Sequence, residues 1–315
     1  MFRVVAHRFG DPAQVLSCES LPRPEPEAGG VVVRMLASPI NPSDLITVSG
    51  AYRHRTTLPF VPGFEGVGVV DQRDETVTGL RVGQRVLPLG SAGGWQAFKA
   101  TPAGWCVPVP DDLTDDQAAA AYINPLTARL MLRAVAPAAG ALVGVNAAGS
   151  AIGRMLLRMI HAAGACAIAV VRSARARQSL EGEPAAAILI QGAPLPPLDG
   201  GFDAVGGVPG TEMALAIKPG GILVHYGLLS GTPLPAQLGQ RIPAVLRPFW
   251  LRQWVHSASR EELGEVMARV FDDIRAGTAT TDIEARYALT ELRAALAHNG
   301  RAGRRGKILL APAQT

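Results

Sequence analysis

Two stretches of this sequence place small residues and arginines at spacings suited to a phosphate-bearing ligand. The first, Asn146-Ala147-Ala148-Gly149-Ser150-Ala151-Ile152-Gly153, follows the apolar run Ala141 to Val145 and opens a helix-like stretch, Ile152 to Ala163. Set against the pattern G-x-G-x-x-G, it keeps the last glycine, Gly153, and has Ala148 and Ser150 at the first two places. Small side chains let backbone amides approach a pyrophosphate, and the helix N-terminus beyond adds positive dipole. Ala148, Gly149, Ser150, Ile152 and Gly153 are therefore candidate cofactor contacts. Small residues at a strand–helix turn also serve packing alone. The second stretch, Val170-Val171-Arg172-Ser173-Ala174-Arg175-Ala176-Arg177, lies where an NAD site carries an acid for the ribose 2′-hydroxyl. Here there is no acid and there are three arginines. A guanidinium matches a 2′-phosphate bidentately, so Arg172, Ser173 and Arg175 point to NADPH, with a solvated basic loop as the competing explanation.

Other chemistries find little support. The cysteines, Cys18, Cys106 and Cys166, are far apart, with no C-x-x-C pair, so neither a disulfide framework nor a zinc lobe is expected. None of the six histidines pairs with another at ligand spacing, and no G-x-S-x-G nucleophile elbow occurs.

The elements that must hold these residues fall into two textures. At 315 residues, two domains are expected. The first hundred residues read as short strands broken by Gly and Pro: Met1 to Ala6, Val31 to Ala37, Glu65 to Asp71, Gln84 to Leu87 and Trp95 to Lys99, with a helix at Ser43 to Ser49. Helical stretches follow at Asp115 to Tyr122 and Pro125 to Val135. Ala141 to Val145, the glycine turn, its helix and Ala165 to Val171 then make a βαβ unit and imply a parallel sheet. Further strands are expected at Ala186 to Ile190, Phe202 to Val205, Gly221 to Tyr226 and Gly306 to Leu310. A helix is expected at Arg260 to Arg275, and a Pro/Gly-rich surface connection at Gln191 to Gly201. The fold expected is α/β: a doubly wound Rossmann sheet (residues 121–256) inserted in a β-rich domain (residues 1–120 and 257–315).

Hydrophobic residues make up 48% of the chain and charged residues 18%, ordinary for a protein with a large core. A net charge of +4 is too small for a dedicated nucleic-acid binder but fits a phosphate-bearing ligand. The N-terminus runs straight into a strand-like stretch and no apolar run reaches membrane length, so a cytoplasmic protein with no membrane or nucleic-acid partner is expected.

Several segments together resemble zinc-independent medium-chain dehydrogenase/reductases, and within them the 2-enoyl thioester (enoyl-CoA or enoyl-carrier-protein) reductases. They are Asn41-Pro42-Ser43-Asp44 with Gly50-Ala51-Tyr52; Gly63-Phe64-Glu65-Gly66-Val67-Gly68; Asn124-Pro125-Leu126-Thr127-Ala128; Asn146-Ala147-Ala148 with Ser150 and Gly153; Val170-Val171-Arg172; and Phe249-Trp250-Leu251-Arg252-Gln253-Trp254. They stand in family order over nearly the whole chain. Phe64 occupies the place of a zinc-ligand histidine in alcohol dehydrogenases of the superfamily, and no cysteine stands near Ser43, so the resemblance implies no catalytic zinc. Ala151 stands where the family usually has glycine. The stretch from Arg172 to Phe202 looks short, so part of the sheet and its covering helix are expected to be trimmed.

The resemblance implies a GroES-like catalytic domain and NADPH-dependent reduction of an activated C=C bond in an enoyl thioester, on coenzyme A or acyl carrier protein. It gives Tyr52 proton donation or substrate orientation; a phenol keeps its proton at neutral pH. Asn41, with Ser43, orders the same loop or touches the nicotinamide ribose; Asn-Pro-Ser-Asp is also a good helix start. Asn124 and Thr127 resemble positions near the nicotinamide, Phe249 and Trp250 line the cleft beside the cofactor, and Tyr226-Gly227 forms a nicotinamide-side loop with close backbone approach. Trp254 belongs to the core or a dimer interface. Lys307 resembles a lysine that reaches the cofactor phosphate, with an edge-strand charge as the alternative. Arg53-His54-Arg55 is a basic run that meets a pantetheine or coenzyme A phosphate or is simply solvated. A homodimer is the family expectation. A quinone or enone reductase, and a non-catalytic NADPH-binding protein, remain as alternatives.

Overall fold

The computed structural model describes residues 1–301 and 303–312. Its strands, in chain order, are β1 (Phe2–Ala6), β2 (Leu16–Ser20), β3 (Gly30–Pro39), β4 (Val67–Arg73), β5 (Arg85–Pro88), β6 (Phe98–Pro102), β7 (Cys106–Pro108), β8 (Leu142–Val145), β9 (Cys166–Val171), β10 (Ala187–Ile190), β11 (Leu198–Asp203), β12 (Ile217–His225), β13 (Val245–Pro248), β14 (Ile283–Ala288) and β15 (Lys307–Ala311). Met1–Ile123, Val255–Arg275 and the chain from Thr280 onward form one compact unit. Asn124–Trp254 with Ala276–Ala279 form the other.

The first unit is β-rich. Its larger sheet runs β14-β15-β3-β4-β5-β7, with β6 also paired to β3, and β1 pairs with β2 in a small second sheet. All these pairings are antiparallel except β14 with β15. Strand β3 alternates to suit this: Val31, Val33 and Met35 pack with Val70, Val77, Leu80 and Val86 in one apolar cluster. A second cluster gathers Val4, Leu16, Ile40, Val48, Trp95, Leu292 and Ile308. Trp95 was expected to begin a strand. It lies instead in the bend before β6, fully buried, and its indole N–H donates to the Pro39 carbonyl at 3.2 Å.

The second unit holds a six-stranded sheet in the order β10-β9-β8-β11-β12-β13, every pair parallel. Numbered from its own first strand this is 3-2-1-4-5-6, the doubly wound dinucleotide-binding order. Strand β8 leads through residues 146–150 into the helix Ala151–Ala162, which buries Met155, Leu156, Leu157, Met159 and Ile160. The sheet is complete, so the expected trimming does not touch it. The economy falls on the helices: the one after β9 spans only Ala174–Gln178, and β10 passes to β11 without any helix. The expected surface connection from Gln191 to Gly201 is half wrong for the same reason, because its second half enters β11 at Leu198, whose side chain is fully buried. No helix among the described residues is long and apolar enough to cross a membrane.

Phe202 sits fully buried in β11, between β8 and β12, one residue before the strand's carboxyl end. Phe202→Ala is expected to destabilise the parallel-sheet unit by about 3–5 kcal/mol, from lost burial and the residual cavity. Urea unfolding followed by far-UV circular dichroism measures it, and a loss below about 1 kcal/mol would contradict this placement.

Candidate functional site

In the parallel-sheet unit the polar groups gather at the carboxyl ends of β8, β11 and β12, where open α/β sheets bind their ligands. Asn146, just past β8, is buried. Its Nδ2 donates to Asp203 Oδ1 at 2.5 Å, and its Oδ1 accepts from the Ala204 amide at 2.7 Å. Asp203 has no exposed surface and also accepts from the amides of Val205 (2.9 Å) and Gly206 (3.0 Å) and lies 2.6 Å from His225 Nδ1. Burial alone would push its carboxyl up. The hydrogen bonds from His225, Asn146 and the amides outweigh that and hold it below the usual carboxylate range. His225 and Asp203 were not singled out from the sequence. Their signal was weak: single polar residues at the ends of two apolar strands.

The turn after β8 is built for close approach. A Cβ on Gly153 would stand 2.7 Å from the Ala147 carbonyl oxygen and from Ala148 Cα, so the helix can begin this near its own turn only with glycine there. Ser150 caps the helix, its Oγ accepting from the Gly153 amide at 3.1 Å. Ala147 takes a positive φ of 46°, a strained value for alanine that turns the chain toward the helix. Ala151 and Ile152 open the helix, so their amides lack intrahelical acceptors and face outward with the dipole. Ala148 is fully buried and packs; Gly149 and Ser150 lie on the turn's exposed side. At the end of β9, Ser173 caps the short helix at 3.3 Å from the Ala176 amide. Arg172 and Arg175 are exposed, and neither forms an ion pair among the described residues. Outward amides, small residues and unpaired guanidiniums fit the phosphates of a dinucleotide.

Two further strand ends contribute. Tyr226 follows β12, its amide donating to the Asp203 carbonyl at 2.9 Å. Its hydroxyl is buried with no hydrogen-bond partner, and burial together with the Asp203 charge raises its proton affinity well above that of an ordinary phenol. A Cβ on Gly227 would meet the Ala204 carbonyl oxygen at 2.7 Å, so this loop packs against the chain just past β11. Phe249, just past β13, donates its amide to the His225 carbonyl at 2.8 Å, and Trp250 beside it is 48% exposed. Asn124 and Thr127 lie in the first turns of the helix Ile123–Val135; Thr127 is buried. Trp254 has the Arg133 guanidinium 5.9 Å from its ring centroid.

The β-rich unit holds a separate polar core. Asn41 is buried at the start of the helix Pro42–Ser49. Its Nδ2 donates to Glu65 Oε1 at 2.8 Å, and its Oδ1 accepts from Lys307 Nζ. Lys307 also donates to Glu65 Oε1 at 2.9 Å, and Glu65 Oε2 accepts from the Ile123 amide at 2.6 Å. Lys307 therefore departs from both expectations. It does not lie at an edge, since β15 runs between β14 and β3, and its ammonium is buried and engaged by Glu65 and Asn41 rather than offered to a phosphate. Glu65 was read only as part of a motif, and Asn41 orders its loop from within. Neighbouring Asp44, fully buried, accepts from the amides of Asn41 (2.9 Å), Gly63 (3.1 Å) and Phe64 (3.0 Å). Burial, with the Glu65 charge nearby, pushes its carboxyl up to about 7 against the pull of those amides. Tyr52 is part-exposed two residues past this helix's terminal Gly50, with the Arg55 guanidinium 3.9 Å over its ring. Arg53 and His54 are exposed. Among the described residues no group of three or more His, Cys, Asp or Glu side chains could hold a metal.

This combination of a β-rich unit and a doubly wound sheet can be set beside known proteins. Residues 27–111 match the alcohol dehydrogenase GroES-like domain. The rat mitochondrial enoyl-[acyl-carrier-protein] reductase is 32% identical over 88% of this chain and 79% of its own length. A Bacillus thuringiensis structure assigned as an NADPH:quinone reductase is 33% identical, with a TM-score of 0.92 and 98% of each chain covered. A mycobacterial protein solved with NADPH is 25% identical, with a TM-score of 0.86 over 99% of this chain and 100% of the other. The chain belongs to the medium-chain dehydrogenase/reductase family, in its enoyl reductase and quinone oxidoreductase branch. It is a nicotinamide-dependent oxidoreductase.

Lys307→Met should cost about 3–5 kcal/mol, because it strands Glu65 as a buried, uncompensated charge. Glu65→Gln combined with Lys307→Met should recover much of that loss in a urea double-mutant cycle; additive losses would mean the two do not interact. A carboxyl raised in the folded state, as in Asp44, contributes stability that is full near pH 4 and lost as pH rises through about 7. Unfolding free energies measured from pH 4 to 8 should carry this falling component, and Asp44→Asn should remove it.

Proposed function

We propose that the protein is an NADPH-dependent reductase of the activated C=C bond of a trans-2-enoyl thioester, on coenzyme A or acyl carrier protein, working without zinc. The observation that carries this is the 32% identity to an enoyl-[acyl-carrier-protein] reductase over 88% of the chain. The arginine-bearing end of β9, with no acid at the ribose position, supports NADPH over NADH.

When bound, NADPH would supply hydride for the β-carbon, and a proton to the α-carbon would complete the saturated thioester. The protein supplies position, charge and the proton. Outward amides at Ala151 and Ile152 and the guanidiniums of Arg172 and Arg175 would hold the dinucleotide phosphates. Tyr52 holds a proton on its phenol oxygen for the α-carbon, and the Arg55 stack fixes the orientation of that ring. Asn41, at the start of the helix that leads to Tyr52, is anchored by Glu65 and Lys307. The same proposal includes a cytoplasmic location and a homodimer. The family expectation puts the dimer at the sheet edge near Gly221 to Tyr226 and the segment after it, of which β12 is interior and only β13, with Val245 exposed, is an edge.

A second reading is quinone or enone reduction by the same fold, supported by the 33% identical structure assigned as an NADPH:quinone reductase. The absorbance of NADPH, and separately of NADH, is followed while a short trans-2-enoyl-CoA is added. Oxidation of NADPH at least about tenfold faster than NADH is expected, with kcat lowered about a hundredfold in Tyr52→Phe. No turnover of any enoyl thioester, alongside rapid turnover of quinones, would replace the first reading by the second.

A further inference from the structure

The arginines near the cofactor turn divide into two kinds. Arg154 and Arg158, on the helix Ala151–Ala162, are taken up by one carboxylate. Glu183 Oε1 lies 3.2 Å from Arg154 Nη1 and 2.5 Å from Arg158 Nη2, and Glu183 Oε2 lies 2.8 Å from Arg158 Nε. The Glu183 side chain is only 8% exposed. Burial pushes its carboxyl up, but the hydrogen bonds and charges of Arg158 and Arg154 outweigh this and hold it below its ordinary range. Arg172, Arg175 and Arg177 form the second kind: exposed, with no ion pair among the described residues.

The second kind rides on a weak element. The helix Ala174–Gln178 has five residues, too few to persist unsupported in water. Two attachments hold its far end. Leu180 is fully buried, and Arg154 Nη2 donates to the Ser179 carbonyl (2.5 Å) and hydroxyl (3.2 Å). Ser179 in turn faces the phosphate turn, its Oγ 3.9 Å from where a Cβ on Gly149 would stand. Glu183 completes this latch: by orienting Arg154 and gripping Arg158 in a fork, it ties the C-terminal end of the arginine segment to the helix that begins at the turn. Without it, the fork on Arg158 would be lost and Arg154 would keep only its hold on Ser179, with no carboxylate to orient it.

We propose that Glu183 is a positioning residue that sets dinucleotide specificity, its grip on Arg154 and Arg158 fixing where Arg175 and Arg177 present their charge to a 2′-phosphate. This rests on the NADPH reading above. The direction of the effect runs against simple charge counting. Removing an acid beside a phosphate site should tighten NADPH if only the field mattered, whereas loss of the latch should weaken it and leave NADH unaffected, since NADH has no 2′-phosphate.

Isothermal titration of the full chain with NADPH and with NADH, in the absence of substrate, tests this on wild type, Glu183→Gln, Arg158→Gln, Glu181→Gln and Arg175→Ala. In Glu183→Gln the NADPH Kd should rise about tenfold and the NADH Kd by less than about twofold. Arg158→Gln, which breaks the fork from the other side, should give the same split and serves if the first variant fails to fold. Glu181→Gln removes an exposed carboxylate of the same charge two residues away and should leave the NADPH Kd within about twofold. An NADPH Kd unchanged or lowered in Glu183→Gln, or raised equally with that of NADH, overturns the latch while leaving the cofactor reading intact. A wild type that binds both dinucleotides equally, with NADPH binding untouched in Arg175→Ala, overturns both.

Discussion

A carboxylate with no exposed surface stays ionised only where enough donors replace the water it has lost. In the parallel-sheet unit Asp203 meets the condition. Asp203 draws donors from Asn146 beyond β8, from His225 on β12 and from the loop that follows its own strand, so three strand ends are locked in register by one side chain. The small-residue turn after β8 starts at Asn146, so its position is inherited from that lock. In the other unit Glu65 does the corresponding work, accepting from Asn41, Lys307 and the Ile123 amide. Such groups are poor sources of net stability, since desolvation consumes most of the attraction. What they provide is uniqueness: a shifted strand or loop would leave a buried charge without its donors.

Much of the architecture was legible because it obeys local periodicity. The β8–turn–helix–β9 unit and the helix Arg260–Arg275 fall where apolar spacing put them, within a residue or so at each end. The helix Gly207–Ala216 was not foreseen, because Gly207, Pro209 and Gly210 read as a turn while tertiary packing of Met213 and Ala214 makes a helix of them. Strand β14 was hidden for the opposite reason, since Glu284 and Arg286 interrupt its apolar residues and only its pairing with β15 defines it.

The candidate site was legible where it depends on chain-local geometry and obscure where it depends on long-range pairing. Gly153 and Ser150 explain themselves within a few residues. Lys307 could not, since its partners Asn41 and Glu65 are 266 and 242 residues away in sequence, and a lysine at the start of a strand looks the same whether it meets a phosphate or a buried carboxylate. The arginines after β9 carry the same ambiguity in milder form. Their types were readable, but their separation from the paired Arg154 and Arg158 depends on Glu183.

This separation also bears on how one fold serves relatives named for different substrates. The parallel-sheet unit offers amides, small residues and guanidiniums whose geometry depends on the dinucleotide alone, so it need not change when the acceptor of the hydride does. In the β-rich unit the segment after the helix Pro42–Ser49 places Tyr52 immediately before a single 3₁₀ turn, Arg53–Arg55, rather than on a strand. That turn is steadied by the Arg55 stack and by the Thr56 hydroxyl donating to the Tyr52 carbonyl at 2.9 Å, both local contacts. The Asn41–Glu65–Lys307 core shares none of these contacts and would not have to be rebuilt if the turn changed. A segment held by local contacts can alter its side chains at small cost to the fold. Tyr52 therefore lies on a segment whose side chains are little committed to the fold.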